Sequence, residues 1–413
     1  MNLLHVDTIS ETRKKLAAYC ERIAPAIEIC GLIEAAGRVL AADCYSAENI
    51  PPYRRSTVDG YAVRSKDLGA AGDMTPSILR VTGEVVLGTD PGDVTVTAGN
   101  CVYVPTGGAV PDGADAVVMV EYCELFGGSM LAVSKSAAPG ENVVQVGEDV
   151  RMGDLLVRRG RTLRPQDVGA LAAAGISMVP VYTPWRVTVI STGDELVPPD
   201  EAPGPGQIRD INSYTVAARS AAEGFQVVRT VLVRDDREAL LQALTAAKAD
   251  SDVVVLSGGS SQGKKDMSAE LVGLAADSGV LTHGIAAKPG KPTITGFDGE
   301  SGTLFIGLPG HPAAALMVYE QVLIRLWRDL TEQPEERTVR ARITTTLQSA
   351  AGRRTFQLVK LTDGEAGELP AAAPVLARSG MIAPMSAADG YFEMSENQEG
   401  VKAGDTVCVH LWK

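Results

Sequence analysis

The segment between Val187 and Leu330 alternates short apolar runs with longer amphipathic stretches, and this alternation constrains the fold more than any other feature of the chain. Runs rich in β-branched residues predict strands at 187–190, 227–233, 252–256 and 303–306. Apolar residues at helical spacing predict helices at 213–222, 237–247, 267–276 and 312–330. Strands that alternate with helices in this way form a parallel sheet with helices packed on it.

The rest of the chain predicts further units. Thr8 and Glu11 form a capping-box pattern that begins a helix over 8–24, and a second helix is predicted before Cys44. Short strand-like runs separated by Gly, Pro and Asp follow Pro51, a helix is predicted around 165–174, and short strands return near the C-terminus. We therefore predict an α/β multidomain protein with a discontinuous α/β linker domain (1–50 plus 150–182), a β-rich domain (51–149), a central parallel-sheet α/β domain (183–332) and a small C-terminal β-barrel (333–413).

Length and composition indicate a globular protein with several cores. The chain has 413 residues, and no apolar run approaches the roughly 18 residues that a membrane-spanning helix needs. The N-terminus lacks the pattern of a secretory signal, so we expect a cytoplasmic location and no membrane association. A formal charge of −13 argues against nucleic-acid binding, but not against a small anion held by local lysines. The cysteines are far apart in sequence and are expected to be reduced core residues.

Residues 253–266, VVVLSGGSSQGKKD, join a predicted strand to a glycine-rich turn and a helix. Glycines allow backbone N–H groups to converge on an oxyanion, the helix N-terminus favours negative charge, and Lys264 and Lys265 add positive charge. Gly258 to Lys264 matches the start of a P-loop, but Lys265 occupies the position of the Ser or Thr that would bind Mg²⁺. The segment therefore predicts an anion cradle and not a nucleoside triphosphatase.

Three polar, glycine-bearing loops follow predicted strands of the α/β domain, at 191–195, 257–266 and 308–312. Ligands of open parallel sheets bind beyond the carboxyl ends of the strands, so we expect these loops to converge on one rim. The candidate binding residues in the last two loops are Ser257, Gly258, Gly259, Ser260, Gly263, Lys264, Pro309 and Gly310.

Acidic residues on the same rim have two interpretations. Asp194, Glu195 and Asp266 could hold Mg²⁺ or orient a water beside a bound phosphate, although a turn or a helix cap is the ordinary role of such residues. Asp210 and Asn212 are expected to cap the following helix, and contact with a ligand is a second role open to them.

The KPGKP segment at 288–292 places Lys288 and Lys291 on a backbone stiffened by two prolines. Hydrogen bonds to charged groups contribute roughly 1.5–3 kcal/mol each, so these lysines and nearby backbone N–H groups could hold an oxyanion. A solvated turn is the alternative. His311, in the PGHP turn, is expected to be a structural donor rather than a catalyst.

Turn-like sequences also occur in the β-rich region, at Asp59-Gly60, 105–108 and 147–149. Their residue types are those of ordinary turns and indicate no chemistry by themselves.

Eight ordered blocks of the chain resemble the molybdopterin molybdenumtransferase family, which is of MoeA type and also includes the E domain of gephyrin. The blocks are STVDGYAV (56–63), VPTGGAVPDGADAVV (104–118), GENVVQVGED (140–149), STGDEL (191–196), DIN (210–212), LSGGSSQGKKD (256–266), KPGKP (288–292) and GLPGHPAAA (307–315). The resemblance covers essentially the whole chain. It implies a molybdopterin-binding fold for the α/β domain, and an elongated homodimer whose active cleft lies between the α/β domain of one subunit and the β-rich domain of the other.

The resemblance also implies the reaction, in which molybdate is inserted into adenylylated molybdopterin with Mg²⁺-dependent cleavage of the adenylate, giving molybdenum cofactor and AMP. A molybdopterin adenylyltransferase and apo-molybdoenzyme delivery proteins are candidate partners. The positions that match the family's site are Asp59, Thr106, Asp149, Glu195, Asp266, Lys288 and Lys291. Among them the candidate catalytic residues are Asp59, Glu195, Asp266 and Lys288, the candidate Mg²⁺ ligands are Asp59, Glu195 and Asp266, and the added binding residues are Thr106, Asp149 and Lys291.

The chain departs from the commoner family pattern at several positions. Arg54 and Arg55 stand where Asp-Asn is frequent, Val144 and Gln145 replace an arginine pair, Gln262 replaces Val, and His311 replaces Asn. Arginine suits oxyanions, so Arg54 and Arg55 are candidates to compensate for the lost pair if they face the same cleft. The choice between molybdate and tungstate stays open.

Two other functions stay open from the sequence. A molybdopterin adenylyltransferase shares the α/β domain and the glycine loop, but it would need that domain alone and would consume ATP with free molybdopterin. A non-catalytic dimeric scaffold with a decayed site would bind the adenylylated pterin and release no AMP when molybdate is added.

Overall fold

The computed structural model describes residues 6–19, 24–69, 71–258, 265–336, 338–349, 351–365, 367–376 and 381–412, with the backbone alone of residues 265 and 266. Four predicted binding residues lie outside the described residues: Gly259, Ser260, Gly263 and Lys264.

The first part of the chain contains α1 (Ile9–Ala17), β1 (Ile27–Gly31), α2 (Leu32–Ala35), β2 (Cys44–Tyr45), β3 (Arg55–Ser56), β4 (Gly60–Val63), β5 (Ser77–Glu84), β6 (Asn100–Val104), β7 (Ala116–Met119), β8 (Cys123–Phe126), β9 (Met130–Val133), β10 (Val143–Val144), β11 (Leu155–Val157), α3 (Pro165–Ala173) and β12 (Met178–Tyr182), with 3₁₀ turns at Ser65–Asp67 and Val120–Tyr122. The middle part contains β13 (Arg186–Thr192), β14 (Leu196–Val197), β15 (Ile208–Arg209), α4 (Asn212–Ala222), β16 (Gln226–Val233), α5 (Arg237–Lys248), β17 (Val253–Gly258), α6 (Lys265–Ala275), β18 (Val280–His283), β19 (Ala287–Lys288), β20 (Ile294–Asp298), β21 (Thr303–Leu308), α7 (Pro312–Val318), a π-helical segment (Tyr319–Ile324) and α8 (Arg325–Leu330). The last part contains β22 (Thr338–Ile343), β23 (Leu347–Gln348), β24 (Arg354–Thr362), β25 (Ala371–Pro374), α9 (Ala383–Ser386), β26 (Gly390–Met394), β27 (Gly400–Val401) and β28 (Thr406–Leu411).

The central sheet has the strand order β16-β13-β17-β21-β20-β18. The first four strands are parallel, as the alternation predicts. Two strands that were not predicted, β20 and β18, extend the sheet at one edge, where β20 runs antiparallel to β21 and β18 runs antiparallel to β20. No helix separates β20 from β21, and so short a connection permits only antiparallel pairing.

Both faces of the parallel strands are buried. Val187 and Val189 belong to one apolar core, whereas Ile190 and Val254 belong to a second core beneath α5 and α6. Successive strand residues point to opposite faces, so a sheet covered on both sides needs apolar runs without polar alternation. This requirement explains why these strands could be predicted from their continuous apolar runs.

The predicted helix over 312–330 is continuous, but its centre is π-helical. Glu320 of the π segment accepts two hydrogen bonds from Arg219 of α4, over 2.7 and 3.1 Å. Gln321 Nε2 donates to Tyr391 Oη of β26 over 2.7 Å. The segment therefore joins α4 to the C-terminal barrel through buried polar contacts.

The β-rich region forms an open six-stranded half-barrel in the order β7-β4-β6-β5-β9-β8, and the two-stranded ribbon β3–β10 lies beside it. The linker region joins distant parts of the chain, because β1 pairs antiparallel with β12 and β2 pairs with β11. Its core contains Leu40, Leu163, Leu171 and Val181. The limits of the four domains stay a prediction.

The C-terminal region closes into a five-stranded barrel in the order β24-β25-β22-β28-β26, with β26 pairing back to β24. Val359, Phe392 and Val409 are fully or almost fully buried in its interior. The predicted small barrel is confirmed. β19, which contains Lys288, adds to the outside of β24, so the barrel is attached to the KPGKP turn of the α/β region.

Several predicted boundaries were wrong. α1 ends at Ala17, well before residue 24. β17 begins after Asp252, whose carboxylate accepts hydrogen bonds from Arg186, and it continues to Gly258. α6 begins at Lys265 rather than at residue 267.

The described cysteines are all free, and Cys30, Cys44 and Cys101 are buried as predicted. Cys123 is half-buried and Cys408 is exposed, so the core assignment is wrong for Cys408. Within the described residues, no helix combines the length and hydropathy that a bilayer crossing requires.

Candidate functional site

The three polar loops lie at the carboxyl ends of β13, β17 and β21, which are neighbouring parallel strands. Thr192 pairs with Gly258, and Ser257 pairs with Leu308, so the three strands end at the same level. The prediction that the loops share one rim is confirmed for the described residues.

Asp210 and Asn212 connect the three loops through hydrogen bonds. Asp210 Oδ1 accepts from Ser191 Oγ over 3.0 Å and from a backbone N–H in the first turn of α4 over 3.2 Å. Asn212 Nδ2 donates to Ser257 Oγ over 2.8 Å and to the Gly310 carbonyl oxygen over 2.9 Å. Ile211 is the N-cap residue of α4, so Asp210 accepts from the first turn of the helix from one residue before the cap, and Asn212 is the first helical residue rather than a cap. Asp210 and Asn212 together fix the relative positions of the loops.

The last residue of β17 has to be a glycine. Gly258 has a φ of 126°, and a Cβ built on it would lie 2.0 Å from the Thr192 carbonyl oxygen. Only a residue without a Cβ permits this close approach between β13 and β17. Gly258, predicted as part of an anion cradle, thus has a structural role at the rim.

Two carboxylates follow β13, those of Asp194 and Glu195, and they differ in their contacts. Asp194 Oδ1 accepts from Asp235 N over 3.2 Å, and Thr192 Oγ1 donates to Asp235 Oδ1 over 2.8 Å. Asp194 therefore supports the turn, which was the ordinary alternative for this residue. Glu195 is exposed, and its carboxylate lies against Gly193.

The structure describes the backbone of the predicted cradle at Ser257 before the loop and at Lys265 and Asp266 after it. Ser257 is 1% exposed and its hydroxyl accepts the Asn212 hydrogen bond, so its side chain supports the rim from within. Lys265 and Asp266 are the first two residues of α6, which places their backbone N–H groups in the first turn of the helix. A helix N-terminus at this position favours a bound anion.

A cavity of about 800 Å³ lies between the α/β region and the C-terminal barrel. Its volume is typical of small-molecule sites. Its lining includes the basic side chains of Lys288, Lys291, His311 and Arg353. The apolar part of the lining includes Met317, Phe356, Leu376, Met381, Met385 and Met394.

A second cavity of about 570 Å³ lies beside Trp185 and Asp252, near the amino ends of the central strands, and contains no predicted site residue.

The KPGKP turn is packed so that its lysines face outward. Gly290 has a φ of 126°, and a Cβ on it would lie 2.6 Å from Val318 Cγ2 of α7. The backbone of the turn is therefore pressed against α7, while Lys288 and Lys291 are exposed at the cavity. No ion pair of either lysine occurs among the described residues.

The loop after β21 leads directly into α7. Pro309 is buried, Gly310 is half-buried and its carbonyl accepts the Asn212 hydrogen bond. His311 is the N-cap residue of α7 and is exposed at the cavity, but its side chain forms no capping hydrogen bond. The structural donor role expected for His311 is therefore not seen at this helix terminus.

The predicted residues of the β-rich region form a separate group. Asp59 Oδ1 accepts from Thr106 N over 2.7 Å and from Thr106 Oγ1 over 3.0 Å. Asp149 is exposed, and its backbone N–H donates to the Ile50 carbonyl over 3.1 Å. The hydrogen bonds between Asp59 and Thr106 stay within the β-rich region, and Ile50 directly precedes that region. One chain thus presents two groups of predicted residues on two different regions.

The departures from the family pattern have different structural roles. Arg54 donates to the carbonyl oxygens of Ala114 and Pro111 over 2.8 and 3.3 Å, so its guanidinium holds a loop. Arg54 is thus engaged within its own region, and compensation for the missing arginine pair stays a prediction for it. Gln145 is exposed, and Glu148 accepts a hydrogen bond from its backbone N–H.

The barrel side of the cavity consists of residues that the sequence did not predict. Phe356 and Gln357 come from the start of β24, Arg353 directly precedes that strand, and Met381 and Met385 come from the region of α9. No local pattern marks these residues, because which strand positions face the cavity depends on barrel closure and on the pairing of β19 with β24.

Three family models match the chain in order. The MoeA N-terminal region (domain I and II) matches residues 8–175, a probable molybdopterin binding domain matches 188–329, and the MoeA C-terminal region (domain IV) matches 340–412.

Full-length relatives agree with this order. A putative molybdopterin biosynthesis protein of Methanocaldococcus jannaschii is 30% identical over 97% of this chain and 96% of its own length. A molybdopterin molybdenumtransferase of Haemophilus influenzae is 31% identical over 92% of this chain and 93% of its own length. The crystal structure of the molybdopterin biosynthesis MoeA protein of Pyrococcus horikoshii is similar with a TM-score of 0.82 and 34% identity, covering 99% of this chain and 100% of that one. The chain therefore belongs to the MoeA family of molybdopterin molybdenumtransferases.

Proposed function

We propose that this protein inserts molybdate into adenylylated molybdopterin and releases molybdenum cofactor and AMP. The observation that carries the proposal is the cavity between the α/β region and the barrel, where Lys288, Lys291 and Arg353 meet. All three side chains are exposed, and none has a carboxylate partner among the described residues. Their charge is thus left for a ligand.

The chemistry of the cavity suits a small oxyanion beside an apolar group. Ammonium and guanidinium groups form charge-assisted hydrogen bonds with oxyanions, and the guanidinium can bind two oxygens at once. Molybdate is a tetrahedral dianion and fits this set of donors. The methionine and phenylalanine side chains on the barrel wall offer apolar, polarizable surface to the less polar part of an organic substrate.

The rim at the ends of β13, β17 and β21 supplies the second half of the proposed site. The N-terminus of α6 and the glycine-bearing loop before it would bind phosphate through backbone N–H groups. Asp59 and Thr106 of the β-rich region would contribute from another subunit, with Asp149 beside them. In this arrangement, cleavage of the adenylate anhydride takes place where positive charge and N–H donors stabilise the developing negative charge.

Magnesium fits the proposed site as an ion shared with the substrate. Within the described part of the chain, no group of three or more His, Cys, Asp or Glu side chains is arranged to hold a metal. Mg²⁺ commonly binds through one or two carboxylates together with substrate phosphates and waters, and the exposed Glu195 is suited to this role. We propose Glu195 and Asp266 as ligands, with Asp59 as a third candidate. Bound there, Mg²⁺ would neutralise phosphate charge.

A homodimer is part of the proposal, because one chain presents the two groups on separate regions. The linker region carries a suitable surface: Ile27, Ile29 and Ile33 are 58%, 69% and 86% exposed, and Met178 is 53% exposed. Ile27 and Ile29 lie on one face of β1, and Met178 lies on the adjacent β12. A contiguous apolar patch of this kind marks an interaction surface, and a two-fold interface would bury it against its copy.

Two functions compete with the proposal. An adenylyltransferase would use ATP and free molybdopterin, but the matched N-terminal and C-terminal MoeA regions favour the molybdenumtransferase. A scaffold would bind the adenylylated pterin and stop there. We further propose a cytoplasmic location, with an adenylyltransferase that supplies the substrate and delivery proteins for apo-molybdoenzymes that accept the product.

The decisive experiment follows AMP release and ATP consumption in parallel. Purified protein is given adenylylated molybdopterin, Mg²⁺ and molybdate, or ATP and free molybdopterin. AMP release that requires molybdate, with no ATP use, supports the proposal. ATP use identifies the adenylyltransferase, and pterin binding without AMP release identifies the scaffold. Replacing molybdate with tungstate in the same assay measures the choice between the two oxyanions.

A further inference from the structure

Arg55 is an exposed cation beside the predicted residues of the β-rich region. It lies in β3, and its guanidinium forms no hydrogen bond or ion pair with any other described residue. Its neighbour Arg54 is different, because the Arg54 guanidinium is held by two carbonyl oxygens. The Arg54 guanidinium thus stabilises a loop, whereas the Arg55 guanidinium is available to bind a ligand.

Strand register explains why Arg55 has no partner. It pairs with Val144 of β10 on one side and with Ala109 on the other. Residues directly opposite each other in such pairs have Cβ atoms about 4.5–5.5 Å apart, so Val144 and Ala109 are its nearest cross-strand neighbours. Neither carries a charge or a side-chain acceptor.

The same register places Arg55 next to the turn that holds Thr106. Gly107 N donates to the Ser56 carbonyl over 2.8 Å, and Ser56 N donates to the Gly108 carbonyl over 2.9 Å. Arg55 therefore directly precedes Ser56, and the backbone of Ser56 is hydrogen-bonded to the turn that contains Thr106. Thr106 in turn is bound to Asp59.

We propose that Arg55 binds an anionic group of the substrate, a phosphate or oxyanion oxygen, in the β-rich half of the site. This inference rests on the proposed function. Asp59 and Asp149 are exposed in the same region, and the whole chain carries a formal charge of −13, so an approaching anion meets repulsion unless a nearby cation offsets it. Screening limits such effects to about 8 Å, which makes a local arginine effective.

The ribbon offers a test in which the guanidinium is moved across the strand pair. Arg55→Val removes the charge and keeps a residue suited to a strand. The double variant Arg55→Val with Val144→Arg returns an arginine to the directly opposite position. Arg80→Val is the matched control, because Arg80 is also exposed on a strand of this region, β5, and has no side-chain partner among the described residues.

Steady-state AMP release is measured for the wild type and the three variants over a range of salt concentrations, together with melting temperatures. We expect Arg55→Val to raise the KM for adenylylated molybdopterin about 10-fold or more and to weaken its salt dependence. The double variant recovers most of that loss, and the control matches the wild type. Melting temperatures stay unchanged throughout.

Three results would overturn the inference: an unchanged KM in Arg55→Val, a loss that the double variant does not reverse, or a loss that follows a lowered melting temperature. Failure of the proposed function is separate from these results, because the wild type itself would then release no AMP in response to molybdate. A wild type that is active beside an equally active Arg55→Val variant rejects the role of Arg55 alone.

Discussion

Asn212 Nδ2 lies 2.8 Å from the hydroxyl oxygen of Ser257, and both side chains are buried beneath the rim of the central sheet. The same amide nitrogen donates to the Gly310 carbonyl oxygen. A carbonyl oxygen can only accept, so the orientation of the amide group is determined. One side chain thus fixes the loop after β17 relative to the loop after β21.

We expect Asn212→Ala to lower kcat/KM by about 10-fold to 100-fold, because both loops lose their common donor and small displacements of reacting groups are costly. The Gly310 carbonyl and the Ser257 hydroxyl would each lose a partner, which costs about 1–3 kcal/mol of unfolding free energy per unsatisfied group. Asn212→Asp, which keeps the size and removes the donor, should behave similarly. Asn100→Ala is the control, since this half-buried residue's amide bonds only locally to Thr97 Oγ1. Full activity in both Asn212 variants would contradict the prediction.

Gly258→Ala should destabilise the protein and impair activity. A backbone conformation that L-residues rarely adopt costs about 1–3 kcal/mol, and overlap of the new Cβ with the Thr192 carbonyl adds to this cost. Urea unfolding and AMP release measure the two effects. Gly83→Ala in β5 is the control, because a Cβ at Gly83 meets no atom within 4 Å. Equal stability of the two variants would refute the explanation.

Lys288→Ala and Lys291→Ala should each raise the KM for molybdate about 10-fold or more, because a hydrogen bond from a charged donor to the oxyanion is lost. Both side chains are exposed, so melting temperatures should change little. Initial rates of AMP release against molybdate concentration provide the measurement. Lys402→Ala, at an exposed barrel position, controls for the loss of one positive charge. If the KM for molybdate of the Lys288 and Lys291 variants equals that of this control, the two lysines do not bind the oxyanion.

Glu320→Ala should lower the free energy of unfolding by about 3–5 kcal/mol, because it leaves the buried Arg219 without its bidentate partner. Burial disfavours the charged form of Arg219, and its carboxylate neighbours more than offset this effect, so its pKa lies above the usual value. The exposed pair Arg237–Glu270 supplies the control, since solvent screens this ion pair and Glu270→Ala should change the free energy of unfolding far less. Chemical denaturation of both variants measures the difference. If both variants lose a similar amount of unfolding free energy, burial does not determine how much these ion pairs stabilise the protein.

Asp298 should make stability depend on acid pH. Burial opposes its ionisation, but hydrogen bonds from Ser301 and the Lys248 ammonium outweigh burial and hold the pKa of Asp298 below its usual value. A lowered folded-state pKa contributes stability above the unfolded-state pKa of about 3.9, and this contribution is lost as the pH falls through the folded value. The stability gap between the wild type and Asp298→Asn should therefore be constant near neutral pH and shrink in acid. A gap that does not change down to the acid limit of folding would contradict this assignment.

Sequence alone determined the features that depend on local chemistry. The apolar runs in β13 and β17 predicted buried parallel strands, because a sheet covered on both faces needs continuous hydrophobicity. The position of the loops on one rim followed from the direction of these strands. The contact of Asp210 with the first turn of α4 was also predictable, because its carboxylate accepts from the backbone N–H of Ser213, only three residues further along the chain.

Tertiary structure decided the features that depend on contacts between distant residues. The antiparallel edge formed by β18 and β20, the commitment of Arg54 to loop carbonyls, and the entry of Arg353 into the Lys288–Lys291 cavity have no local signature. Each depends on how segments far apart in the chain are brought together. Residue type fixed which groups could bind an anion, and packing alone fixed which of them stayed free to do so.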